Sequence, residues 1–153
     1  MIALTIREAS PTDEEAKLLL AALSAELFQI TGNDGASSFS NEDVQEARSV
    51  FLLAVSNGEA VGCGGLRQIN DKVCELKRMY TKHRGQGIGR ELLRALEQRA
   101  REFDYQAIWL ETRKVNESAV RFYLSEGYQV RANYGKYIGR DEAVCFEKRI
   151  VAS

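Results

Sequence analysis

Residues 2–8 (IALTIRE) alternate apolar with polar, as a strand with one buried face requires. SPTDEEA follows. Ser10 suits a helix N-cap, Pro11 a first helical position, and Asp13 to Glu15 the first turn. Leu18, Leu19, Ala22, Leu23 and Leu27 recur at helical spacing, so a helix is predicted to about residue 30. The polar stretch TGNDGASSFS at 31–40 reads as a loop, and a short helix is expected over 40–47. Residues 50–56 (VFLLAVS) form an apolar strand, and Asn57-Gly58 is a hairpin turn signal. The return strand is 59–69, and a third strand, 73–81, completes an antiparallel meander.

The period then changes. Leu92, Leu93, Leu96, Ala100 and Phe103 lie on one helical face, with charges opposite. Strand 107–112 follows, so strand, helix and strand make a crossover that pairs 73–81 and 107–112 in parallel. Asn116 or Ser118 can cap a short helix through Glu126, and Gly127 suits its left-handed end. Strands 128–133 and 142–150 are expected to pair antiparallel. The prediction is an α+β fold, a single domain over 1–153 with helices packed on a mixed central sheet, in the order β-α-α-β-β-β-α-β-α-β-β.

Composition narrows the chemistry. The 153 residues suit one domain with a core large enough to need no disulfides. His83 is the single histidine, which excludes zinc sites needing two or three histidines within one chain; no metal is expected. Cys63, Cys74 and Cys145 are scattered in apolar runs, as buried reduced thiols in a cytoplasmic protein would be. No apolar run reaches membrane-spanning length, and MIALTIREAS reads as mature sequence. With 21 basic and 22 acidic residues, neither nucleic acid nor a membrane is expected as partner. The balance is uneven along the chain. Residues 1–71 hold four basic and eleven acidic side chains, whereas 72–102 hold nine and four. The basic segment suits a compact anionic ligand or a solvated helix face.

That segment contains Arg84-Gly85-Gln86-Gly87-Ile88-Gly89-Arg90, between a strand and a helix. Glycines permit a sharp turn and close approach of a ligand to the main chain. The free N–H groups and dipole at the helix start attract phosphate. A Walker A loop is excluded, because GxxxxGK[ST] is absent. A dinucleotide fingerprint fails because its third glycine is missing and the preceding strand carries Glu75, Lys77 and Arg78. On glycines alone, a plain connector with a capped helix serves equally.

R-x-x-G-x-G at Arg84, Gly87 and Gly89, within ELKRMYTKHRGQGIGRELLRALE, resembles the acyl-coenzyme A loop of the GNAT superfamily (Gcn5-related N-acetyltransferases), especially its small bacterial members. LET at 110–112, Asn116, Ala119, Tyr123 and EGY at 126–128 resemble its second motif. The resemblance implies acetyl transfer from acetyl-coenzyme A to a primary amine by direct attack in a ternary complex. It implies pyrophosphate on Gly85, Gln86, Gly87, Ile88 and Gly89 beside Arg84 and Arg90. The pantetheine arm would lie along the strand near Met79, Tyr80 and Thr81, and Asn116 would touch the cofactor or simply cap its helix. Tyr123 matches the tyrosine that protonates the departing sulfur, and Glu75 a glutamate that acts as base, often through water. A packing tyrosine and an ion-paired glutamate are the plain alternatives. His83 is read as a loop residue. A covalent cysteine route is disfavoured by burial.

The acceptor is expected to be a small-molecule amine. Its pocket is expected to be walled by the 31–40 loop with Asp34, by Arg67, and by Tyr134 and Tyr137. Arg67 could hold an acceptor carboxylate or a surface partner. A protein terminus or lysine as acceptor, a silent acyl-coenzyme A sensor, and a homodimer all stay open.

Overall fold

Turn chemistry sets the sheet. In this computed structural model, which describes residues 3–34 and 40–151, Asn57 and Gly58 adopt φ +51° and +79°. Those values fold Val50–Ser56 (β2) onto Glu59–Gln68 (β3). Thr5–Glu8 (β1) pairs with β2, and Val73–Thr81 (β4) with β3, all antiparallel. Ile88–Glu102 (α2) carries the chain to Ala107–Arg113 (β5), which runs parallel to β4. Glu117–Ser125 (α3) leads to Gln129–Arg131 (β6) and Ala143–Arg149 (β7). The seven strands lie in the order β1-β2-β3-β4-β5-β7-β6. The expected β6–β7 pair is present, and β7 is also inserted beside β5.

Strand β2 shows why its run is continuously apolar. Val50, Leu52 and Ala54 join one cluster with Leu92, Leu93 and Leu96 of α2. Phe51 and Leu53 point the other way, to Ala16 and Leu19 of the first helix, Glu14–Thr31 (α1). A strand buried on both faces needs no polar alternation. Each fully buried leucine contributes about 1.5–3 kcal/mol, so the α2 leucines fix that helix, and its N-terminus, against the sheet.

Three expectations at the N-terminal end shift. Helix α1 starts at Glu14, with Asp13 as its N-cap, rather than at Pro11. Residues 10–13 close a turn instead: Asp13 N–H donates to the Ser10 carbonyl at 3.0 Å, and the Asp13 carboxylate accepts from Ser10 N–H at 3.2 Å. Strand β1 begins at Thr5, and residue 2 lies outside the described residues. The helix expected over 40–47 is a single 3-10 turn, Asn41–Val44, and 35–39 of the preceding loop lie outside the described residues. Among the described residues no helix is long and apolar enough to cross a membrane.

Candidate active site

Strands β4 and β5 pair only as far as Glu75 and Trp109. Both then continue apart, β4 to Thr81 and β5 to Arg113, so β4 presents a free edge to the gap. On its other side β4 bulges. Cys63 opposes Tyr80 and Gly65 opposes Lys77, so two steps on β3 match three on β4. Arg78 absorbs the extra residue at φ +57°, a left-handed conformation costing a non-glycine residue about 1–2 kcal/mol. Its guanidinium holds it there. It donates to Ser24 Oγ at 2.7 Å and to the Leu20 and Asp34 carbonyls at 3.3 Å. Opposite the bulge, a Cβ on Gly64 would sit 2.9 Å from Leu96 and 3.1 Å from Met79, so a larger residue there would push those side chains aside.

The gap opens into a cavity of about 710 Å³, within the range of small-ligand sites. Met79, Tyr80 and Thr81 form one wall. Arg84, Gly85, Gly87, Ile88, Gly89 and Arg90 close one end, whereas Gln86 is not among the lining residues. Gly85 and Gly87 take φ +77° and +78°, and nothing lies within 4 Å of a Cβ built on either, so conformation alone demands glycine. Gly87 is the N-cap of α2, whose free N–H groups face this end. Each arginine arrives already paired: Arg84 with Glu26 at 2.5 Å and with Ser118 at 2.9 Å, Arg90 with Glu126 at 3.0 Å. A phosphate would displace carboxylates here, so the backbone supplies the standing attraction.

Tyr123, on α3, lines the cavity while 92% of it is buried against Phe122, Tyr128 and Phe146. Burial pushes its phenol well above the usual value, so it stays protonated. Asn116 does both things expected of it: it lines the cavity and its side chain accepts from Ala119 N–H at 3.4 Å, capping α3. His83 also lines the cavity, beside the glycine turn.

Glu75 lies elsewhere. It is 1% exposed and is not among the residues lining the cavity. Arg67 Nε donates to Oε1 at 2.7 Å, Tyr134 OH donates to Oε2 at 2.6 Å, and Lys77 Nζ lies 3.6 Å from Oε2. Its lone pairs are taken by structural partners, which is the arrangement of an ion-paired core glutamate. Arg67 is turned to Glu75 and Asp43, and neither Arg67 nor Tyr134 lines the cavity. Asp34 does not line it either; its carbonyl serves Arg78. Tyr137 does line it, and accepts from Lys77 Nζ at 2.9 Å.

A different carboxylate faces the cavity. Glu111, two residues beyond the last β4–β5 pair, lines it next to Lys77 and Arg113. Its Oε2 is buried and has no hydrogen-bond partner; Arg113 Nε stands off at 3.5 Å. Burial raises its carboxyl above the ordinary value, opposed by Arg113 and Lys77. Sequence reasoning passed over this residue, although LET marked the strand end. The three cysteines are free and buried, and burial pushes the Cys63 and Cys74 thiols up to about 12, so thiolates are disfavoured.

A strand pair that splays beside a bulge, with a helix N-terminus at one end of the gap, defines the class, and the comparisons agree. The chain belongs to the GNAT acetyltransferase family, whose model matches residues 17–128. A putative acyl-CoA N-acyltransferase from Klebsiella pneumoniae is 34% identical and superposes with TM-score 0.81, over 96% of this chain and 97% of that one. PaiA N-acetyltransferase from Thermoplasma acidophilum, solved with coenzyme A, shares the fold at TM-score 0.75 and 20% identity, over 97% of this chain and 99% of that one. IAA acetyltransferase from Azospirillum brasilense is 34% identical over 90 residues, which is 57% of this chain and 59% of that protein. Probable N-acetyltransferase family 8 member 5 from Mus musculus is 33% identical over 97 residues, 59% of this chain and 43% of that protein. The chain spans about half the length of these two relatives.

Proposed function

We propose that this protein transfers an acetyl group from acetyl-coenzyme A to the primary amine of a small molecule. The observation that carries the reading is one cavity holding a glycine-turn helix N-terminus at one end and, further along, the buried Tyr123 phenol and the Glu111 oxygen that lacks a hydrogen bond. The coenzyme A complex of PaiA N-acetyltransferase supports the choice of donor. Acetyl-coenzyme A supplies a thioester carbonyl carbon open to attack. The protein's residues do the rest.

The Gly85–Gly89 N–H groups receive the pyrophosphate. The free edge of β4 near Met79 and Thr81 pairs with the amides of the pantetheine arm, as a strand edge pairs with an added strand. Glu111 Oε2 accepts one proton from the incoming ammonium, because among the described residues it is a buried cavity carboxylate oxygen without a hydrogen bond. The freed nitrogen lone pair forms the C–N bond while the C–S bond breaks. Tyr123 then hydrogen-bonds the departing sulfur. Its raised pKa makes it a poor source of a proton on its own, since a thiol releases a proton near pH 8.5. The nitrogen's second proton therefore replaces the one Tyr123 passes to sulfur, in the same step. The proton on Glu111 leaves to solvent.

Glu75 is given a different task. It holds Arg67, Lys77 and Tyr134 together behind the site, and so positions Lys77 and, through it, Tyr137. The test is thiol release from acetyl-coenzyme A against a panel of primary amines, with mass spectrometry for the amide. Sustained release coupled to amide supports the proposal; tight binding of acetyl-coenzyme A with no transfer to any amine would leave a sensor.

A further inference from the structure

The charges at the acceptor end of the cavity are unequal. Lys77, Arg113, Lys136 and Arg140 line it, and Glu111 is the carboxylate among them. Two of these cations are answered. Lys77 is backed by Glu75 at 3.6 Å, and Arg113 lies between Glu111 at 3.5 Å and Glu142 at 4.0 Å. Lys136 and Arg140 have no carboxylate within 4.0 Å among the described residues. Burial is the largest influence on both Glu111 and Lys77, and Lys136 is near enough to act electrostatically on each. It sits on the 3-10 turn Gly135–Tyr137, above the Tyr137 ring at 5.7 Å. The contrast with the other end is direct, where Glu26 and Glu126 already neutralise Arg84 and Arg90.

Resting on the transferase reading, we infer that the acceptor is an amine that also carries a carboxylate, an amino-acid-like molecule, with its ammonium at Glu111 and its carboxylate at Lys136 and Arg140. One negative and one positive group match a buried carboxylate oxygen without a hydrogen bond and two cations without a carboxylate among the described residues. A polycation such as a polyamine or an aminoglycoside would set several ammonium groups against Lys77, Lys136 and Arg140, and like charges facing each other reject a ligand. The carboxylate-binding role expected of Arg67 thus passes to cations on the β6–β7 connection, because Arg67 is committed to Glu75 and Asp43.

The experiment compares the proteinogenic amino acids with their decarboxylated amines, and with spermidine and kanamycin, as acceptors at fixed acetyl-coenzyme A. A charge-assisted hydrogen bond is worth about 1.5–3 kcal/mol, so kcat/KM for a carboxylated acceptor exceeds that of its decarboxylated partner by about 10- to 100-fold. Lys136→Gln and the double change Lys136→Gln with Arg140→Gln reduce that ratio stepwise towards unity. A decarboxylated amine, spermidine or kanamycin turned over as well as the best amino acid would overturn the inference alone. A preference for the amino acid that survives both changes would remove Lys136 and Arg140 from it. No transfer to any amine would overturn the transferase reading itself, and this inference with it.

Discussion

The two ends of the cavity are built from different material. The glycine-turn end is made of backbone: two left-handed glycines, a helix N-terminus and a strand edge, with its arginines already bonded to carboxylates. The other end is made of side chains from β4, β5 and the β6–β7 connection, and there, among the described residues, Glu111 Oε2 lacks a hydrogen bond and Lys136 and Arg140 lack a carboxylate. Backbone recognition tolerates changes of side chain and serves an unvarying ligand. Side-chain recognition can be altered residue by residue, and so can specificity. The difference also predicts where substitutions do most harm.

The largest effect belongs to Glu111. Glu111→Gln is expected to lower kcat/KM by about 10²- to 10⁴-fold, the usual contribution of a positioned acid or base, with acetyl-coenzyme A affinity by calorimetry unchanged. Its carboxyl titrates above the ordinary value, and the ionised form is the active one, so wild-type kcat/KM rises as pH rises through that raised pKa. The variant loses this limb, and its deficit narrows as pH approaches the amine's own pKa, where nitrogen arrives neutral. Stability runs the other way. A raised folded-state pKa means that the ionised carboxylate costs stability above the unfolded pKa. The variant's Tm at neutral pH should therefore equal or exceed that of the wild type. A drop in Tm with unchanged turnover would dissolve the distinction between the two ends.

Tyr123→Phe comes next, with a loss of about 10²-fold in kcat and little change in KM for either substrate. Since burial holds the phenol well above its usual range, the wild-type profile should show no alkaline fall from this group below pH 10. At the other end, Gly87→Ala forces a left-handed alanine, at about 1–2 kcal/mol, and should weaken coenzyme A binding by roughly tenfold while leaving acceptor preference alone. The smallest effect is that of Arg84→Gln, a few-fold at most, because the arginine must first release Glu26. Glu26→Gln should correspondingly tighten coenzyme A binding. A large loss in Arg84→Gln would show that side chains, not backbone, hold the phosphate end.

The same division explains what could be read from residue order. Asn57-Gly58, Gly85-x-Gly87 and the Asn116 cap are local devices, each specified by a few neighbouring residues, and the structure places each where the pattern puts it. The bulge in β4 is specified by Arg78 reaching Ser24 and Leu20 more than 50 residues away, and its positive φ falls on a residue type that gives no warning. Helix α1 starts later than its pattern predicts because Ser10 and Asp13 are both residue types that cap helices, and reciprocal bonds between them close a turn ahead of it. Glu75 and Glu111 are both strand glutamates. Which one is consumed by partners depends on Arg67 and Tyr134, from β3 and the β6–β7 connection, and no spacing within β4 reveals that.

Glu75 and Glu111 therefore give the most direct measurement, a side-by-side comparison of Glu75→Gln and Glu111→Gln in both turnover and thermal unfolding. Breaking the buried Glu75 network, discounted for the partial exposure of Arg67, should cost about 2 kcal/mol, or roughly 4–8 °C in Tm. It should lower turnover modestly and keep the acidic limb of the pH profile. Glu111→Gln should keep its Tm and lose turnover by at least about 10²-fold together with that limb. The reverse pattern, a stable but inactive Glu75→Gln beside an active Glu111→Gln, would return the proton to Glu75 and contradict the account.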